Sequence, residues 1–205
     1  LETGEGQRIG TGLEEIGDYA AFASMEYKPV TSITLRPGVR YAYNTRYGAP
    51  VIPSLNVRWQ LQHGFTLRGS YAQGFRAPSL KELYFYFVDV NHDIVGNEDL
   101  EAERSHNMNA AIAYRHDKEK GVYTSEASVF YNVVEDLITL AQISATRYTY
   151  VNVGQYKTLG GSIGAGWDNG HWILSTGAAV TGRYDELAAA NNESCGSIAR
   201  IVARA

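Results

Sequence analysis

The chain has 205 residues, enough for one domain, with a formal net charge of −4 and a pI of about 5.7. Its Lys and Arg residues are scattered rather than clustered, which argues against nucleic acid as a partner. The single cysteine, Cys195, excludes an internal disulfide framework, and we interpret it as an inert loop thiol. No apolar run approaches the roughly 18 to 20 residues of a transmembrane helix, and no signal peptide is apparent.

Apolar and polar residues alternate with a period of two through most of the sequence, which predicts β-strands. In chain order the predicted strands cover residues 18–28, 33–44, 55–62, 65–75, 107–116, 122–140, 148–167, 172–183 and 198–205. Pro37 falls inside the second of these strands, where it removes a ladder hydrogen bond, and we expect a β-bulge there. No helical periodicity of any length competes.

The connections between the predicted strands alternate between short and long. Short turns are expected at residues 29–31, 63–64, 117–121 and 168–170, and longer links at 45–50, 76–106, 141–147 and 185–197. Up-and-down barrels of the outer membrane have short periplasmic turns and longer extracellular loops. A Greek-key sandwich has no reason to sort its loops in this way.

The aromatic residues collect at two levels along the strands. Beside the short turns are Tyr27, Trp59, Phe65, Tyr114, Tyr123, Trp167 and Trp172, and at the opposite ends are Tyr43, Tyr47, Phe75, Tyr131, Tyr148, Tyr150 and Tyr184. Ten residues of strand, as from Phe65 to Phe75, extend about 33 Å. Tilted by about 45°, they cover about 23 Å of the membrane normal, close to the apolar band of about 25 Å between aromatic girdles.

We therefore predict an all-β fold, an antiparallel up-and-down transmembrane β-barrel, of which residues 1–205 form part of one domain. Eight strands and the start of a ninth would leave two open edges, and unpaired backbone groups facing lipid cost several kcal/mol each. The alternation resumes at 198–205, and residues 1–12 have the composition of a loop. We expect further barrel on both sides.

Several motifs from residue 65 onward carry a resemblance to a known family. Phe75, Arg76, Ala77 and Pro78 follow a strand, and Gly96-Asn97 with Leu100 comes about twenty residues later. Further motifs are Phe130-Tyr131-Asn132, Asp136-Leu137-Ile138 and Tyr150-Val151-Asn152-Val153-Gly154. Over roughly residues 18–183 the chain resembles the TonB-dependent outer-membrane receptors, with a layout similar to the cobalamin, ferric siderophore and haem receptors.

The resemblance implies a barrel of about 22 strands filled by an N-terminal plug domain. It also implies that substrate binds to the extracellular loops and the plug, and that import is powered by TonB through a Ton box in the N-terminal part. The plug and the Ton box are not in this segment. Polar residues on one strand face would then line the lumen: Arg36, Arg40, Asn56, Arg58, Arg68 and Asn109.

Haem receptors of this family carry a histidine between two such boxes, and here His92 lies between Pro78 and Asn97. The second box departs from the haem-receptor pattern, since Glu98 stands where those receptors have proline. A neutral imidazole could ligate haem iron, and aromatic rings could stack on a porphyrin. Both boxes also occur in receptors for other ligands, and His92 read alone is a solvated loop residue. The expected ligand-binding residues are Tyr84, Phe85, Tyr86, Phe87 and His92.

The predicted function is uptake of an iron complex, haem or cobalamin across the outer membrane of a Gram-negative bacterium, with no resident cofactor. The expected partners are outer-membrane lipid, the TonB complex and the metal chelate. The alternative from another class is a soluble structural or ligand-binding β-sheet protein. An enzyme is not expected, because Ser162 in the G-x-S-x-G match at 160–164 lacks the strand-to-helix turn of a nucleophile elbow.

Overall fold

Nearly all of the chain is β-strand in the structure, a computed structural model that describes residues 2–5, 13–89, 93–185 and 197–204, with side chains for 15–89 and 93–184. The first strands are β1 (Glu2–Glu5), β2 (Leu13–Ile16), β3 (Asp18–Ser24), β4 (Tyr27–Val30), β5 (Ile33–Asn44), β6 (Val51–Gln60) and β7 (Phe65–Arg76). A short helix, α1 (Leu80–Tyr84), follows. The remaining strands are β8 (Tyr86–Val88), β9 (Asp93–Val95), β10 (Glu103–Lys118), β11 (Gly121–Gln142), β12 (Arg147–Asp168), β13 (Ile173–Asp185) and β14 (Ser197–Arg204).

One large sheet forms a wall in which each long strand pairs antiparallel with its neighbour in sequence. Its order is β3, β5, β6, β7, β10, β11, β12, β13 and β14, and β4 continues the line of β3 along β5. The sheet curls into about half of a barrel. This arrangement confirms the predicted up-and-down, all-β fold. β1 and β2 form a separate antiparallel hairpin, so part of the polar stretch at 1–12, expected as loop, is strand.

The two ends of the wall differ as predicted. At one end the strands are joined by turns of two to four residues, and at the other by segments 45–50, 77–102 and 143–146. The turn before β7 requires a left-handed residue, Gly64 (φ 83°), whose added Cβ would lie 2.0 Å from the carbonyl oxygen of Arg115. The fourth long link, most of 185–197 with Cys195, lies outside the described residues.

The bulge expected at Pro37 is not present. β5 pairs with β6 in continuous register through Pro37 and Leu55. The accommodation lies in the neighbouring strand instead, where β3 ends at Ser24 and β4 begins at Tyr27. The Met25 N–H still donates to the Pro37 carbonyl (3.2 Å), but Pro37 has no N–H to return. The ladder is therefore interrupted rather than shifted at this point, and the register shift comes later, between Tyr27 and Val30.

β11 and β12 are each 22 residues long and continue beyond the strands beside them. The pairing of β12 with β13 ends at Tyr156, whereas β12 pairs with β11 as far as Tyr148. Along this extension β9 takes the place of β13 and pairs parallel with β12 at Arg147–Thr149. Asp136, at the base of the extension, has φ of 56°, a left-handed conformation that Asp tolerates better than most residues.

The two faces of the wall differ in chemistry. Cross-strand register places apolar side chains in continuous rows, as in Ile112, Ala127 and Ile163 across β10, β11 and β12. These side chains stay exposed: Val129 is 58% and Ile163 is 64% exposed. Among the described residues, the buried apolar side chains are few and most of them lie at the end with the long connections. A sheet in water would not leave such rows uncovered.

The aromatic side chains occupy two levels of the apolar face. At the short-turn end Phe65 packs on Tyr114 (centroids 4.7 Å apart), and Tyr123 lies 6.5 Å from Trp167. At the other level Tyr19 neighbours Tyr43 at 6.4 Å. Two predicted members of the second set are misplaced, because Tyr47 and Tyr150 pack against the buried cluster instead of the apolar face.

No helix in the described part of the chain is long or apolar enough to cross a membrane.

Candidate functional site

The connection from β7 to β10 folds back over the end of the wall, and we call its described residues, 77–89 and 93–102, the cap. Its helix α1 begins at Ser79, whose Oγ accepts from the Glu82 N–H, while the Glu82 carboxylate accepts from the Ser79 N–H (2.7 Å). This reciprocal capping box fixes a helix of five residues. The helix was not predicted, because it is too short to show periodicity, but the S-x-x-E spacing was a usable signal.

Arg76 is the ionic centre that joins the cap to the wall. Its guanidinium donates through Nε and Nη2 to both oxygens of Glu103 (2.8 and 2.5 Å) and through Nη1 to Glu82 (2.9 and 3.1 Å). Glu103 in turn accepts from the Ile138 N–H at 2.8 Å. One side chain therefore ties together β7, α1, β10 and, through Glu103, β11. Such a forked contact requires arginine rather than lysine.

The Gly96-Asn97 motif docks the second half of the cap on the first. The Asn97 N–H donates to the Glu82 carbonyl (2.9 Å), and the Asn97 side-chain amide donates to the Tyr150 carbonyl on β12 (2.9 Å). A Cβ on Gly96 would lie 2.5 Å from the carbonyl oxygen of Leu83, so only glycine fits this crossing. Asn97 therefore connects α1 to β12, in the part where β11 and β12 extend beyond their neighbours.

Asn152, from the later Y-V-N-V-G motif, receives the end of the cap. Its Oδ1 accepts from the Glu101 N–H (2.8 Å), and its Nδ2 donates to the carbonyls of Glu101 (3.0 Å) and Asp136 (2.7 Å). The side chain thus satisfies backbone groups of both segments. It holds Asp136, the left-handed residue of β11, against the cap.

A small apolar cluster lies beneath α1. Leu83 is 1% exposed, and Leu80 and Leu100 are each 3% exposed. The cluster also contains Ile16 and Ile138, with Tyr47, Tyr84 and Tyr150 packed against it. Burial raises the pKa of Tyr47 and of Tyr150, so both phenols stay neutral at physiological pH. The cap is therefore held by its own small core as well as by polar contacts.

Arg46, on the neighbouring connection 45–50, reaches across to the cap. Its Nη1 donates to the Tyr84 hydroxyl, and its Nη2 donates to the Glu98 carbonyl at 3.0 Å. The guanidinium also lies over the Tyr84 ring, 5.4 Å from the centroid. The sequence offered no signal for these contacts, because Tyr84 and Glu98 lie 38 and 52 positions after Arg46 and no local pattern links residues so far apart.

The aromatic run at 84–87 divides between two surroundings. Tyr84 is held by Arg46 at the base of the cap, whereas Phe85 and Phe87 share one face of the strand and stack 6.3 Å apart. Tyr86 points to the other face and is 50% exposed. His92 lies outside the described residues. The four aromatic residues thus do not form one continuous platform.

The electrostatics of the Arg76 centre favour its charged state. Hydrogen bonds to Glu103 raise the pKa of Arg76 despite partial burial. Partial burial alone would raise the pKa of Glu82, but hydrogen bonds from Arg76 and Ser79 outweigh it and hold that pKa below the ordinary 4.5. Arg76 and Glu82 are therefore both ionised near neutral pH.

We expect acid to loosen the cap. Because the pKa of Glu82 is depressed in the folded cap, its contribution to docking is fully present above the ordinary value of 4.5 and is lost as pH falls below that value. Hydrogen exchange of residues 77–102, measured in the full-length protein at pH 7 and below pH 4.5 and divided by the intrinsic amide exchange rate at each pH, should show lower protection in acid. Equal protection at both values would contradict this account, and an Arg76→Gln variant should be less sensitive to pH.

Substitution Arg76→Gln is expected to weaken cap docking by about 2 kcal/mol, because it leaves two half-buried carboxylates near each other without their shared cation. Proteolysis within 77–102 should accelerate while the strands of the wall stay protected. Arg115→Gln is a suitable control, since Arg115 pairs with Asp117 in an exposed bridge at the other end. Equal proteolysis of the two variants would show that the Arg76 centre does not hold the cap.

A comparison with protein-family models matches residues 10–199 to the family described as "TonB dependent receptor-like, beta-barrel". The match covers the wall from β3 to β13 and the first three residues of β14. The chain belongs to the TonB-dependent receptor family.

Curated relatives agree with this assignment. The chain is 28% identical over 156 residues to the iron-regulated outer membrane virulence protein of Vibrio cholerae, matching 69% of this chain and 24% of that protein. It is 32% identical over 107 residues to the ferric enterobactin receptor PirA of Pseudomonas aeruginosa, covering 46% and 14%. It is 36% identical over 94 residues to the hemoglobin and hemoglobin-haptoglobin-binding protein of Haemophilus ducreyi, covering 45% and 9%.

Solved structures show the same fold. The siderophore receptor PirA from Pseudomonas aeruginosa superposes with a TM-score of 0.70 at 22% identity, covering 89% of this chain and 34% of that one. The hemophore receptor HasR of Serratia marcescens, solved with its hemophore HasA and heme, also gives 0.70, at 16% identity, covering 86% and 35%. The chain therefore spans about a third of these receptors and a quarter or less of the curated relatives it matches.

Membership in this outer-membrane family shows which face of the wall meets lipid and which faces the lumen. The exposed apolar face meets lipid, and the polar face lines the lumen of the receptor barrel. Register places all six residues predicted to line the lumen on this polar face. The members of the family are transporters rather than enzymes. Ser162 accordingly lies within β12, where its hydroxyl hydrogen-bonds Ser128 at 2.7 Å.

The predicted motif residues gather at the mouth of the receptor barrel. Arg76, Pro78, Asn97 and Leu100 all take part in docking the cap, and Pro78 is among the most completely buried side chains. Within the described ranges no group of three or more His, Cys, Asp or Glu side chains is arranged to hold a metal ion. The exposed residues of the cap are therefore the candidates for ligand contact.

Proposed function

We propose that this chain is the wall and mouth of an outer-membrane receptor that takes up an iron chelate or haem, with energy delivered by TonB through a part of the receptor outside this segment. The observation that carries the proposal is a cap built from the family motifs and held over the polar side of a lipid-facing half-barrel. Two relatives named for ferric enterobactin and for hemoglobin support iron as the cargo. No bond chemistry is required of the receptor.

Within this proposal, ligand contact falls to the exposed part of the cap rather than to its motifs. Phe85 and Phe87, which are partly exposed, offer a pair of stacked rings that suits a flat aromatic ligand such as a porphyrin. His92, three residues beyond Asp89, is proposed as an axial ligand of haem iron. The aromatic rings of a catecholate chelate, or the apolar face of a corrin, could use the same rings without the imidazole.

Thermal stabilisation of the full-length receptor by haem, ferric siderophores and cobalamin would identify the ligand. We expect stabilisation by an iron chelate or haem. A His92→Ala variant with unchanged haem affinity would end the proposed role of His92, whereas loss of the haem spectrum in that variant would support it. His106→Ala is the matched control, since His106 bonds the Tyr71 hydroxyl (2.9 Å) on the opposite, lipid-facing side. No stabilisation by any of these compounds would contradict uptake of iron or cobalamin.

A further inference from the structure

Three arginines form a row across neighbouring strands of the luminal face. Arg58 on β6 lies directly opposite Arg68 on β7, and Arg36 on β5 is diagonal to Arg58, since Arg36 pairs with Asn56. Side chains directly opposite on one face of an antiparallel pair have Cβ atoms about 5 Å apart. Like charges in that relation are destabilising unless an anion lies between them.

The acidic residues near the row do not neutralise its centre. Glu26 accepts from Lys28 at 2.8 Å and from Arg36 at 2.5 Å, so its charge is shared by two cations. Glu126 reaches Arg68 only at 3.6 Å. Within the described part of the chain, Arg58 has no carboxylate within ion-pair distance. The row therefore carries an excess of positive charge centred on Arg58 and Arg68.

The surroundings leave room for a ligand with oxygen acceptors. The row borders a concavity of about 480 Å³ whose lining includes the neutral polar groups Asn56, Ser70 and Asn109. Asn109 donates weakly to the Ser70 hydroxyl at 3.3 Å, which leaves its second amide hydrogen available. Two facing guanidinium groups with neutral donors beside them match the planar geometry of a carboxylate.

We infer that Arg58 and Arg68 form a carboxylate-binding site in the short-turn half of the lumen, an inference that rests on the proposed function because it requires the closed barrel. Inside a closed lumen the field of these charges is focused and poorly screened, so the site binds more strongly than an exposed pair would. The carboxylate is either that of a free ligand or that of an acidic side chain from the rest of the receptor. The chemistry is the same in both cases.

The inference is tested on the full-length receptor in detergent, after its heat-dependent gel mobility has shown that it is folded. The unfolding temperature is measured with citrate as the probe and with chloride at equal ionic strength as the reference. Variants Arg58→Gln and Arg68→Gln are compared with Arg40→Gln, a luminal arginine placed opposite Phe22 and Ile52 and outside the row. If the ligand is free, citrate stabilises the wild type, and both row variants weaken its affinity about tenfold. Arg58→Lys, which keeps the charge but not the fork, should weaken it less than Arg58→Gln.

If the carboxylate belongs to the receptor itself, citrate has no effect, and both row variants lower the unfolding temperature by about 1 °C or more while Arg40→Gln does not. Identical behaviour of the three variants in both experiments would overturn the inference. A receptor that binds an iron chelate and yet shows no effect of Arg58→Gln loses only this site. If no compound in the ligand screen stabilises the receptor but Arg58→Gln and Arg68→Gln still have the effects described here, only the proposed cargo is contradicted.

Discussion

Substitution Ile163→Arg is expected to prevent the full-length receptor from assembling in the outer membrane. Ile163 is 64% exposed on the apolar face. It lies four residues from Trp167, which is at one aromatic level, and four from Leu159, which pairs with Tyr131 at the other, so it is midway between the two levels. An arginine facing lipid near the midplane costs about 2 to 4 kcal/mol in a barrel. The measurement is the amount of folded, heat-modifiable receptor in the outer-membrane fraction, relative to wild type.

The matched control is Ser162→Arg, one residue away on the luminal face. Its new cation enters a polar, hydrated space beside Ser128, so assembly should stay near the wild-type level. If both variants assembled equally well, the apolar face would not be in contact with lipid. If both failed, β12 would be sensitive to bulk rather than to charge, and Ile163→Phe would separate these two causes.

Substitution Leu83→Ala is expected to undock the cap without unfolding the wall. Leu83 is 1% exposed and, with Pro78, among the most completely buried side chains of the described structure, and a Leu→Ala change in a packed core costs about 2 to 5 kcal/mol. The cluster beneath α1 is small, so this loss is a large share of what holds the cap. Hydrogen exchange should accelerate throughout 77–102, and affinity for the transported ligand should fall with it.

Lys81→Ala is the control in the same helix, because the Lys81 side chain is exposed and lies over the Phe85 ring, 5.4 Å from its centroid. Its effect on exchange should lie within the range of ordinary surface substitutions, about 0.5 kcal/mol. Undiminished protection of the cap in Leu83→Ala would show that the apolar cluster is not what retains it. The Arg76 centre would then be the dominant tie.

The motif residues identified in the sequence are engaged in contacts within the receptor itself. Arg76 is occupied by two carboxylates, and Asn97 is occupied by backbone groups of α1 and β12. Side chains committed to such internal contacts cannot choose a ligand. We therefore expect ligand discrimination to come from the exposed part of the cap between them and from parts of the receptor beyond this segment.

The fold was predictable because a half-buried strand has a strict period of two and a barrel sorts its turns by side. The failures had local or long-range physical causes. We expected Pro37 to cause a β-bulge in its own strand, but its missing N–H instead interrupts the neighbouring strand, between β3 and β4. Tyr47 and Tyr150 match the girdle in sequence position, but they follow the chain where it leaves the membrane and turns inward. The Arg46 contact to Tyr84 depends on tertiary packing alone.

The lipid-facing wall is tested most directly with spin labels placed one at a time at residues 159–166 of β12, in the full-length receptor reconstituted in membranes. For each label, its accessibility to oxygen, which concentrates in lipid, is compared with its accessibility to a water-soluble nickel chelate. Labels at positions 159, 161, 163 and 165 should be reached by oxygen and shielded from the chelate. Labels at 160, 162, 164 and 166 should show the reverse, giving a period of two. Equal access of the chelate to both sets would mean that both faces meet water, and the membrane wall described here would be wrong.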